Sequence, residues 1–176
     1  RPRLMFLTSN IHPKKRKNYR GSCFTKMERV AYYTAPVGIL EIRTNGKSVI
    51  GLKKATTVGV ADPDDDLVHA VRRELDSYFA GQLRTFSVPV ALSGTAFQEQ
   101  VWQALKKIPR GVTISYRDIA VQIGRPKACR AVGQAVHCNP VCIIVPCHRV
   151  IGSNGSLVGY AEGLDMKQAL LAVESP

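Results

Sequence analysis

Apolar positions alternate in the first part of the chain and recur every three to four residues in the second. Three alternating segments predict antiparallel strands: Arg29–Ala35, Ile39–Thr44 and Ser48–Lys53. Asn45-Gly46 is a strong hairpin signal between the last two strands. An apolar stripe then predicts a helix that is capped by Asp66 and continues to about Ala80. We therefore expect a small antiparallel sheet with one helix in this half.

Residues 85–95 separate this half from a helical one, because Ser, Pro and Gly interrupt the periodic pattern there. We expect two domains: residues 28–90 and 91–176. The second domain contains three predicted helices: Phe97–Lys107, Tyr116–Ile123 and Lys127–Cys138. Two capping-box pairs mark helix starts: Thr95 with Gln98, and Ser115 with Asp118. Because Gly124-Arg125-Pro126 is a break of only three residues, the last two helices resemble a helix-turn-helix.

A cysteine-histidine pair follows a run of five apolar residues. The run Val141–Val145 predicts a buried strand, and Pro146 ends its pairing because proline has no amide hydrogen to donate. A thiol becomes an effective nucleophile when a base takes its proton, so His148 is a candidate base for Cys147. Neighbouring side chains on a strand point to opposite faces, so the pair requires a turn or a bridging water. A buried structural cysteine beside a surface histidine explains the pair equally well.

The charge of the chain is unevenly distributed. The 176 residues have a formal net charge of +12, and residues 1–27 contain eight Lys or Arg and no acid. We expect a flexible basic arm there, in which Lys14–Lys17 is a nuclear-import signal, a phosphate contact or a solvated charge run. A basic arm joined to a basic carboxy-terminal half indicates a polyanionic partner, most simply nucleic acid. A charge excess that only keeps the protein in solution remains the alternative.

Cysteine spacing and apolar runs exclude several classes of protein. No run approaches the roughly 20 apolar residues of a membrane span. The five cysteines are Cys23, Cys129, Cys138, Cys142 and Cys147. They form no CxxC pair and no zinc-ligand spacing, so we expect reduced thiols in an intracellular protein, with no metal and no cofactor. We interpret Cys129, Cys138 and Cys142 as small core residues.

Motifs in the carboxy-terminal half resemble one known family in their order and content. They are Phe97, Val101-Trp102, Pro109-Arg110-Gly111, Ile114-Ser115-Tyr116, Pro126-Lys127-Ala128, Arg130-Ala131-Val132-Gly133, Asn139-Pro140, Pro146-Cys147-His148-Arg149-Val150-Ile151, Gly159-Tyr160 and Glu174. Residues 97–174 resemble the C-terminal domain of O6-alkylguanine-DNA alkyltransferases, and the PCHRV block is very specific. Residues 28–90 resemble the variable, RNase H-like N-terminal domain of that family in outline.

The resemblance implies a fold and a reaction. The fold is α+β, with a small N-terminal antiparallel sheet and helix, then a mostly helical domain with a helix-turn-helix and a short active-site strand. Cys147 is implied to take the alkyl group from O6 of guanine irreversibly, so that each molecule acts once; O4-alkylthymine is a further candidate substrate. His148 is implied to act as a base through a water molecule, with Glu174 as its orienting partner. Tyr116 is implied to crowd a phosphate and to donate to guanine N3.

The partner implied by the resemblance is double-stranded DNA containing O6-alkylguanine, bound through the minor groove by a monomer. The target base has to leave the duplex, and Arg130 is implied to fill the gap. The DNA contacts implied are Ser115, Arg125, Lys127, Ala128 and Arg130. The pocket residues implied are Asn139, Val150, Tyr160, Ala161 and Glu162. Such a protein works in the nucleus of a eukaryote or the cytoplasm of a prokaryote, without a membrane or a cofactor.

One position departs from the family pattern. The family usually has Gly-Gly before the last helix, whereas this chain has Glu162-Gly163. We expect a carboxylate at the mouth of the pocket to slow reaction with bulky O6 adducts such as benzyl more than with methyl. Cys142 also stands near the pocket, where it is either a second reactive thiol or a core residue.

Three other functions compete with alkyl transfer. A sensor that binds lesions without reacting would lack the acceptor cysteine, so the presence of Cys147 argues against this function. A helix-turn-helix regulator that responds to alkylation would need a further DNA-binding or metal-cysteine domain. A Cys-His hydrolase would turn over repeatedly, and stoichiometry separates it from a single-use acceptor.

Overall fold

A computed structural model describes residues 28–63 and 65–175 and confirms the predicted α+β class. The first half contains β1 (Arg29–Ala35), β2 (Gly38–Thr44), β3 (Val49–Lys54) and α1 (Asp66–Phe79). The second half contains α2 (Ala96–Lys106), β4 (Ile114–Ser115), α3 (Tyr116–Gln122), α4 (Cys129–His137), β5 (Val150–Ile151) and α5 (Leu164–Glu174). A 3₁₀ turn, Cys147–Arg149, precedes β5. The predicted basic arm at residues 1–27, with Lys14–Lys17 and Cys23, lies outside the described residues.

The three strands of the first half form an antiparallel sheet in the order β1-β2-β3. The predicted hairpin is confirmed: Asn45 Oδ1 accepts from the amides of Lys47 and Ser48, at 3.0 and 2.8 Å. Gly46 takes a φ of +80°, which glycine adopts without steric cost. Leu40 and Ile42 on β2 are fully buried, so the inner face of the sheet belongs to the core.

Helix α1 closes this sheet on one side. Its cap is Asp65 and not the predicted Asp66: Asp65 Oδ1 accepts from the Val68 amide at 2.9 Å. Adjacent aspartates have nearly equal capping propensity, and the buried face decides between them. That face consists of Val68, Val71, Leu75 and Tyr78.

Strand β3 connects the two halves through its backbone. On one side it pairs with β2; on the other, Val49 forms a parallel bridge with Val90, and Leu52 forms one with Val141. The Cys142 amide donates to Leu52 O at 2.8 Å. The segment that leads to the Cys-His pair is therefore hydrogen-bonded to a strand of the first half.

The helical half packs around Trp102 on α2. Both predicted capping boxes are confirmed, with Thr95 at the start of α2 and Ser115 at the start of α3. The indole of Trp102 is buried and donates to Ala135 O on α4 at 2.8 Å. This bond satisfies the one polar group of the ring and fixes α4 against α2.

Three predictions for this half were wrong. Helix α4 begins at Cys129, because residues 125–128 form a turn, so Lys127 and Ala128 precede the helix. Val141–Val145 is a buried turn and not a strand: Val145 N donates to Val141 O at 3.0 Å, and Ile143 has a φ of +68°. Cys138 is exposed and Cys129 is partly buried, which leaves Cys142 as the core residue among the three.

Candidate active site

Cys147 occupies the first position of the 3₁₀ turn, immediately before β5. Pairing of β5 with β4 places Val150 opposite Ile114 and brings the start of α3 beside the turn. The side chain of Cys147 is only 5% exposed. The apolar run before it is buried, as its composition requires, but a turn within that run delivers the thiol to the interior.

Asn139 fixes the position of the Cys147 thiol. Its Nδ2 donates to Val145 O at 2.8 Å and lies 3.1 Å from Cys147 Sγ, while its Oδ1 accepts from the Val141 amide at 3.1 Å. One buried amide therefore closes the turn and holds the thiol. Asn139 itself directly follows α4 and Cys138, so the turn is tied to the end of the helix.

The thiol is protonated in the free protein. Burial raises the pKa of Cys147 to about 11; the hydrogen bond from Asn139 acts in the opposite direction, and the charge of Glu162 adds to the rise. At neutral pH about one molecule in ten thousand then carries a thiolate. Any reaction of Cys147 near neutral pH therefore requires a group that takes the proton in the substrate complex.

His148 and Glu174 form a buried pair behind the thiol. His148 Nε2 lies 2.8 Å from Glu174 Oε1, and both side chains are completely inaccessible to solvent. We assign the proton of this bond to Nε2, since an ionised carboxylate only accepts. His148 Nδ1 has no hydrogen-bond partner among the described residues. Burial lowers the pKa of His148, so the ring is neutral near neutral pH and Nδ1 is a free acceptor.

Glu174 receives further hydrogen bonds that the sequence did not predict. Arg149 binds it in a bidentate manner, with Nε to Oε2 and Nη2 to Oε1, both at 2.8 Å. Tyr78 Oη donates to Oε1 at 2.8 Å, and the Gly111 amide donates to Oε2 at 3.3 Å. Burial alone would raise the pKa of Glu174, but the hydrogen bonds from His148 and Arg149 hold it well below its usual range.

Lys167 on α5 is a second buried charge that sequence reasoning missed. Its Nζ donates to Val150 O at 2.6 Å and to Val158 O at 2.8 Å, which ties β5 to the loop before α5. Burial lowers the pKa of Lys167 to about 8. A lysine or arginine is rarely buried without partners. The sequence could have indicated this burial, because Lys167 lies on the apolar face of the short helix α5.

The loop before α5 forms one wall beside the thiol. Tyr160 is 8% exposed, and its hydroxyl lies close enough to the Cys142 and Cys147 thiols to lower the pKa of both. Val150 is buried at the base of this wall, while Ala161 is exposed. Glu162 Oε2 accepts from the Lys54 amide of β3 at 3.0 Å, so its carboxylate is anchored to the first half of the chain. Burial and the neighbouring Cys147 raise the pKa of Cys142, which lies at the same wall.

An open groove of about 570 Å³ has Tyr116 in its wall. Its lining residues are Tyr116, Arg117, Cys129, Arg130, Gly133, Gln134, His137, Ser153, Val158 and Gly159. The Tyr116 hydroxyl donates to Val158 O at 2.9 Å and to Gly159 O at 3.2 Å, which joins α3 to the loop before α5, residues 152–163, here called the pocket loop. Arg130 is exposed on α4, and the lining contains cations and no acid.

Three of the other predicted DNA contacts lie just before α4, and the fourth, Ser115, lies at the start of α3. Arg125, Lys127 and Ala128 surround a shallow depression, and the Arg125 guanidinium lies 5.8 Å from the centre of the Phe97 ring. Ser115 is occupied as a helix cap: the Asp118 amide donates to its Oγ at 3.1 Å. The structure therefore separates a groove around Arg130 from a basic edge at residues 125–128.

Within residues 28–63 and 65–175, no group of three or more His, Cys, Asp or Glu side chains could hold a metal ion. In the same residues, no helix is both long and apolar enough to cross a membrane.

The chain is similar to known proteins along most of its length. Residues 96–176 match the family model "6-O-methylguanine DNA methyltransferase, DNA binding domain", and residues 29–92 match its "ribonuclease-like domain". A methylated-DNA–protein-cysteine methyltransferase of Methanosarcina acetivorans is 55% identical over 111 residues, which are 63% of this chain and 71% of that protein. One from Mycobacterium leprae is 45% identical over 146 residues, which are 80% of this chain and 88% of that protein.

A solved structure supports the same relationship. The crystal structure of Mycobacterium tuberculosis OGT in complex with DNA superposes with a TM-score of 0.76 at 44% identity, over 82% of this chain and 93% of that one. Both halves of the chain are therefore matched, one by each family model, and the matched fold is continuous across them. The chain belongs to the 6-O-methylguanine DNA methyltransferase family.

Proposed function

We propose that this protein repairs DNA by moving the alkyl group of O6-alkylguanine to Cys147, once per molecule. The observation that carries the proposal is a buried thiol beside a neutral histidine, whose Nε2 is held by Glu174 while its Nδ1 remains a free acceptor. This is the arrangement of nucleophile, base and orienting group that thiol chemistry requires. The relatives named as methylated-DNA–protein-cysteine methyltransferases support the same reaction.

The reaction balances with groups of the chain and one water. The Cys147 proton passes through the water to His148 Nδ1, and Glu174 stabilises the resulting imidazolium. The sulfur then forms a bond to the alkyl carbon, the bond from that carbon to guanine O6 breaks, and the electron pair stays on the purine. Tyr116 donates a proton to N3, which neutralises the leaving guanine; the tyrosinate then regains a proton from solvent, and the His148 imidazolium releases its own. No step returns the alkyl group, so the thioether is the final state of Cys147.

Access to the thiol requires the base to leave the duplex. Cys147 is only 5% exposed, and a stacked base cannot reach it. In this proposal the groove around Tyr116 and Arg130 faces the minor groove of DNA, and Arg130 fills the space of the flipped base. Lys127, Arg125, Ser115 and the backbone at Ala128 contact the phosphates. The crystallised relative in complex with DNA supports a nucleic-acid partner.

The pocket loop supplies the remaining contacts of the proposal. Backbone groups of Val150 and Ala161 read the guanine edge, and the Tyr160 ring closes the pocket. O4-alkylthymine is a second candidate substrate of the same site. The protein is proposed to act as a monomer inside the cell, in the nucleus of a eukaryote or the cytoplasm of a prokaryote, with its cysteines reduced.

Stoichiometry tests this function. Excess duplex with a single O6-methylguanine is incubated with the full chain, and the unmodified guanine formed is counted per protein molecule. One equivalent followed by inactive protein is the expected result, and Cys147→Ser should give none. Continued product formation would indicate a Cys-His hydrolase. Binding of the modified duplex without any product would indicate a damage sensor, and either result overturns the proposal.

A further inference from the structure

The first half of the chain contributes one hydrogen bond directly to the buried network of the second. Tyr78, near the end of α1, is 1% exposed, and its hydroxyl donates to Glu174 Oε1 at 2.8 Å across 96 positions of sequence. This is the same oxygen that accepts from His148 Nε2. No other side chain of α1 makes a hydrogen bond to α5 among those the structure describes.

We propose that Tyr78 is a positioning residue of the alkyl transfer, which orients Glu174 toward His148 and limits how strongly that carboxylate attracts the imidazole proton. The inference rests on the proposed function for its chemical meaning. It assigns a direct part in the reaction to the N-terminal half, which contains none of the site residues that the sequence predicted.

The surroundings of Tyr78 fix the direction of its hydroxyl. The ring packs edge-on against Phe79 at 5.2 Å between centroids and lies 5.4 Å from Phe86. The Arg110 guanidinium lies over the ring at 5.1 Å. Burial and the adjacent Glu174 raise the pKa of Tyr78, so the hydroxyl is always protonated and always a donor to the carboxylate. A ring held on three sides cannot turn its hydroxyl elsewhere without moving α1.

The shared oxygen explains how Tyr78 acts on His148. Oε1 accepts from Tyr78, His148 and Arg149 together, so negative charge on that oxygen is divided among three donors. Each additional donor to a carboxylate makes it a weaker partner for the others. With Tyr78 in place, His148 stays neutral and its Nδ1 stays available as an acceptor. Without it, Glu174 stabilises the imidazolium more strongly, and the base is protonated at higher pH.

The charged groups that face His148 are Glu174 and Lys167 from α5 and Arg149 from its own turn. Arg110 faces Tyr78 from the segment after α2. Only Glu174 favours the protonated imidazole, while Arg149 and Lys167 oppose it. A change in the hydrogen bonds of Glu174 is therefore the dominant route by which Tyr78→Phe can alter the titration of His148.

The test uses Tyr78→Phe in the full chain, because phenylalanine keeps every ring contact and removes only the hydroxyl. The titration of the His148 imidazole is followed by its ¹⁵N chemical shifts in the absence of DNA. We expect its midpoint to rise by up to about one pH unit, the size expected for one buried hydrogen bond. The acidic limb of single-turnover alkyl transfer should move to higher pH by the same amount.

Tyr33→Phe is the matched control. Tyr33 Oη donates to Asp76 on the same helix at 2.7 Å, so the variant also removes one hydroxyl from a contact with α1 but leaves Glu174 untouched. It should leave the His148 titration unchanged. An equal midpoint in the wild type and Tyr78→Phe, with folding confirmed by thermal unfolding, would overturn the inference. The titration needs no DNA, so it stands even if no alkyl transfer is found, in which case the proposed function fails separately.

Discussion

The two sides of Cys147 differ in almost every physical property. Behind the thiol, His148, Arg149 and Glu174 are buried and hydrogen-bonded in the free protein. In front of it, Arg130 is exposed, and the groove is open to solvent. Groups that move protons gain from a rigid, dry environment, because their geometry is set before the substrate arrives. Groups that contact a polyanion gain from exposure, because counterions and water must leave as DNA binds.

The difference also predicts where substitutions affect stability. Removal of one partner from a buried ion pair lowers the free energy of unfolding by about 3–5 kcal/mol, since the other charge is left uncompensated. Substitution of an exposed cation typically changes that free energy by no more than about 0.5 kcal/mol. Substitutions behind the thiol should therefore alter both folding and chemistry, whereas substitution of an exposed cation in the groove should alter the reaction with duplex DNA and leave folding unchanged.

The largest effect is expected for His148→Gln. The glutamine amide can still donate to Glu174, so the carboxylate keeps its partners, but the basic nitrogen is lost. The rate of alkyl transfer should fall by about two to four orders of magnitude, the usual contribution of a positioned base. Rapid-quench measurement of the single-turnover rate checks this, with His69→Asn on the exposed face of α1 as the control. A loss below threefold would contradict a role for His148 in proton transfer.

Acid should weaken the buried side through Glu174. The folded pKa of this carboxyl lies below its ordinary value of 4.5, so its contribution to stability is complete above pH 4.5 and is lost as the pH falls toward the folded pKa. The slope is about 1.4 kcal/mol for each pH unit in that window. Urea unfolding from about pH 2.5 to about pH 6 should show this loss of unfolding free energy in the wild type and a smaller loss in Glu174→Gln. An equal pH dependence in the two proteins would show that ionised Glu174 does not stabilise the fold.

An intermediate effect is expected for Arg130→Ala on the open side. If Arg130 fills the gap of a flipped base, as proposed, the rate of repair of duplex DNA should fall by about ten to a hundredfold. The rate of reaction with free O6-benzylguanine should stay within about twofold of wild type. The free energy of unfolding should change by less than about 0.5 kcal/mol. Lys47→Ala, which removes one exposed charge at the β2–β3 hairpin, is the control. An equal loss with the free base would place Arg130 on the chemical side.

The smallest effect is expected at Glu162, which belongs to neither side completely. Glu162→Gly removes both its charge and its bond to the Lys54 amide, whereas Glu162→Gln keeps an acceptor for that amide. We expect the benzyl-to-methyl rate ratio to rise by about threefold to tenfold in Glu162→Gly, the range for one side chain in an apolar pocket. Glu162→Gln should separate the effect of charge from that of the loop anchor. An unchanged ratio in Glu162→Gly shows that Glu162 does not restrict the pocket.

Local signals explain what the sequence predicted correctly. The Asn45-Gly46 hairpin and the capping boxes at Thr95 and Ser115 depend on neighbours within a few residues, and the structure confirms each of them. The prediction of a strand at Val141–Val145 was wrong because burial alone does not distinguish a strand from a buried turn. Backbone pairing at this run stops after Cys142, and Ile143 then adopts a left-handed conformation that no local pattern indicates.

The sequence could not predict which distant residues would form hydrogen bonds to Glu174 in the core. Tyr78 meets Glu174 across 96 positions, and Arg149 meets it across 25. Spacing along the chain carries no information on such pairs. The family resemblance drew attention to Cys147, His148 and Glu174, but it gave no role to Arg149, Lys167 or Tyr78. These three were found because a buried polar group has to have a partner, which only the folded structure reveals.

One measurement tests the assignment of Cys147 most directly. The protein is incubated with a duplex containing O6-methylguanine, digested with protease, and the cysteine-containing peptides are analysed by mass spectrometry. If Cys147 is the acceptor, fragment ions of the peptide that contains Cys142 and Cys147 place one added methylene on Cys147 and show Cys142, the buried thiol nearby, unmodified. A methyl group on Cys142, or restored guanine with no modified cysteine at all, would contradict it.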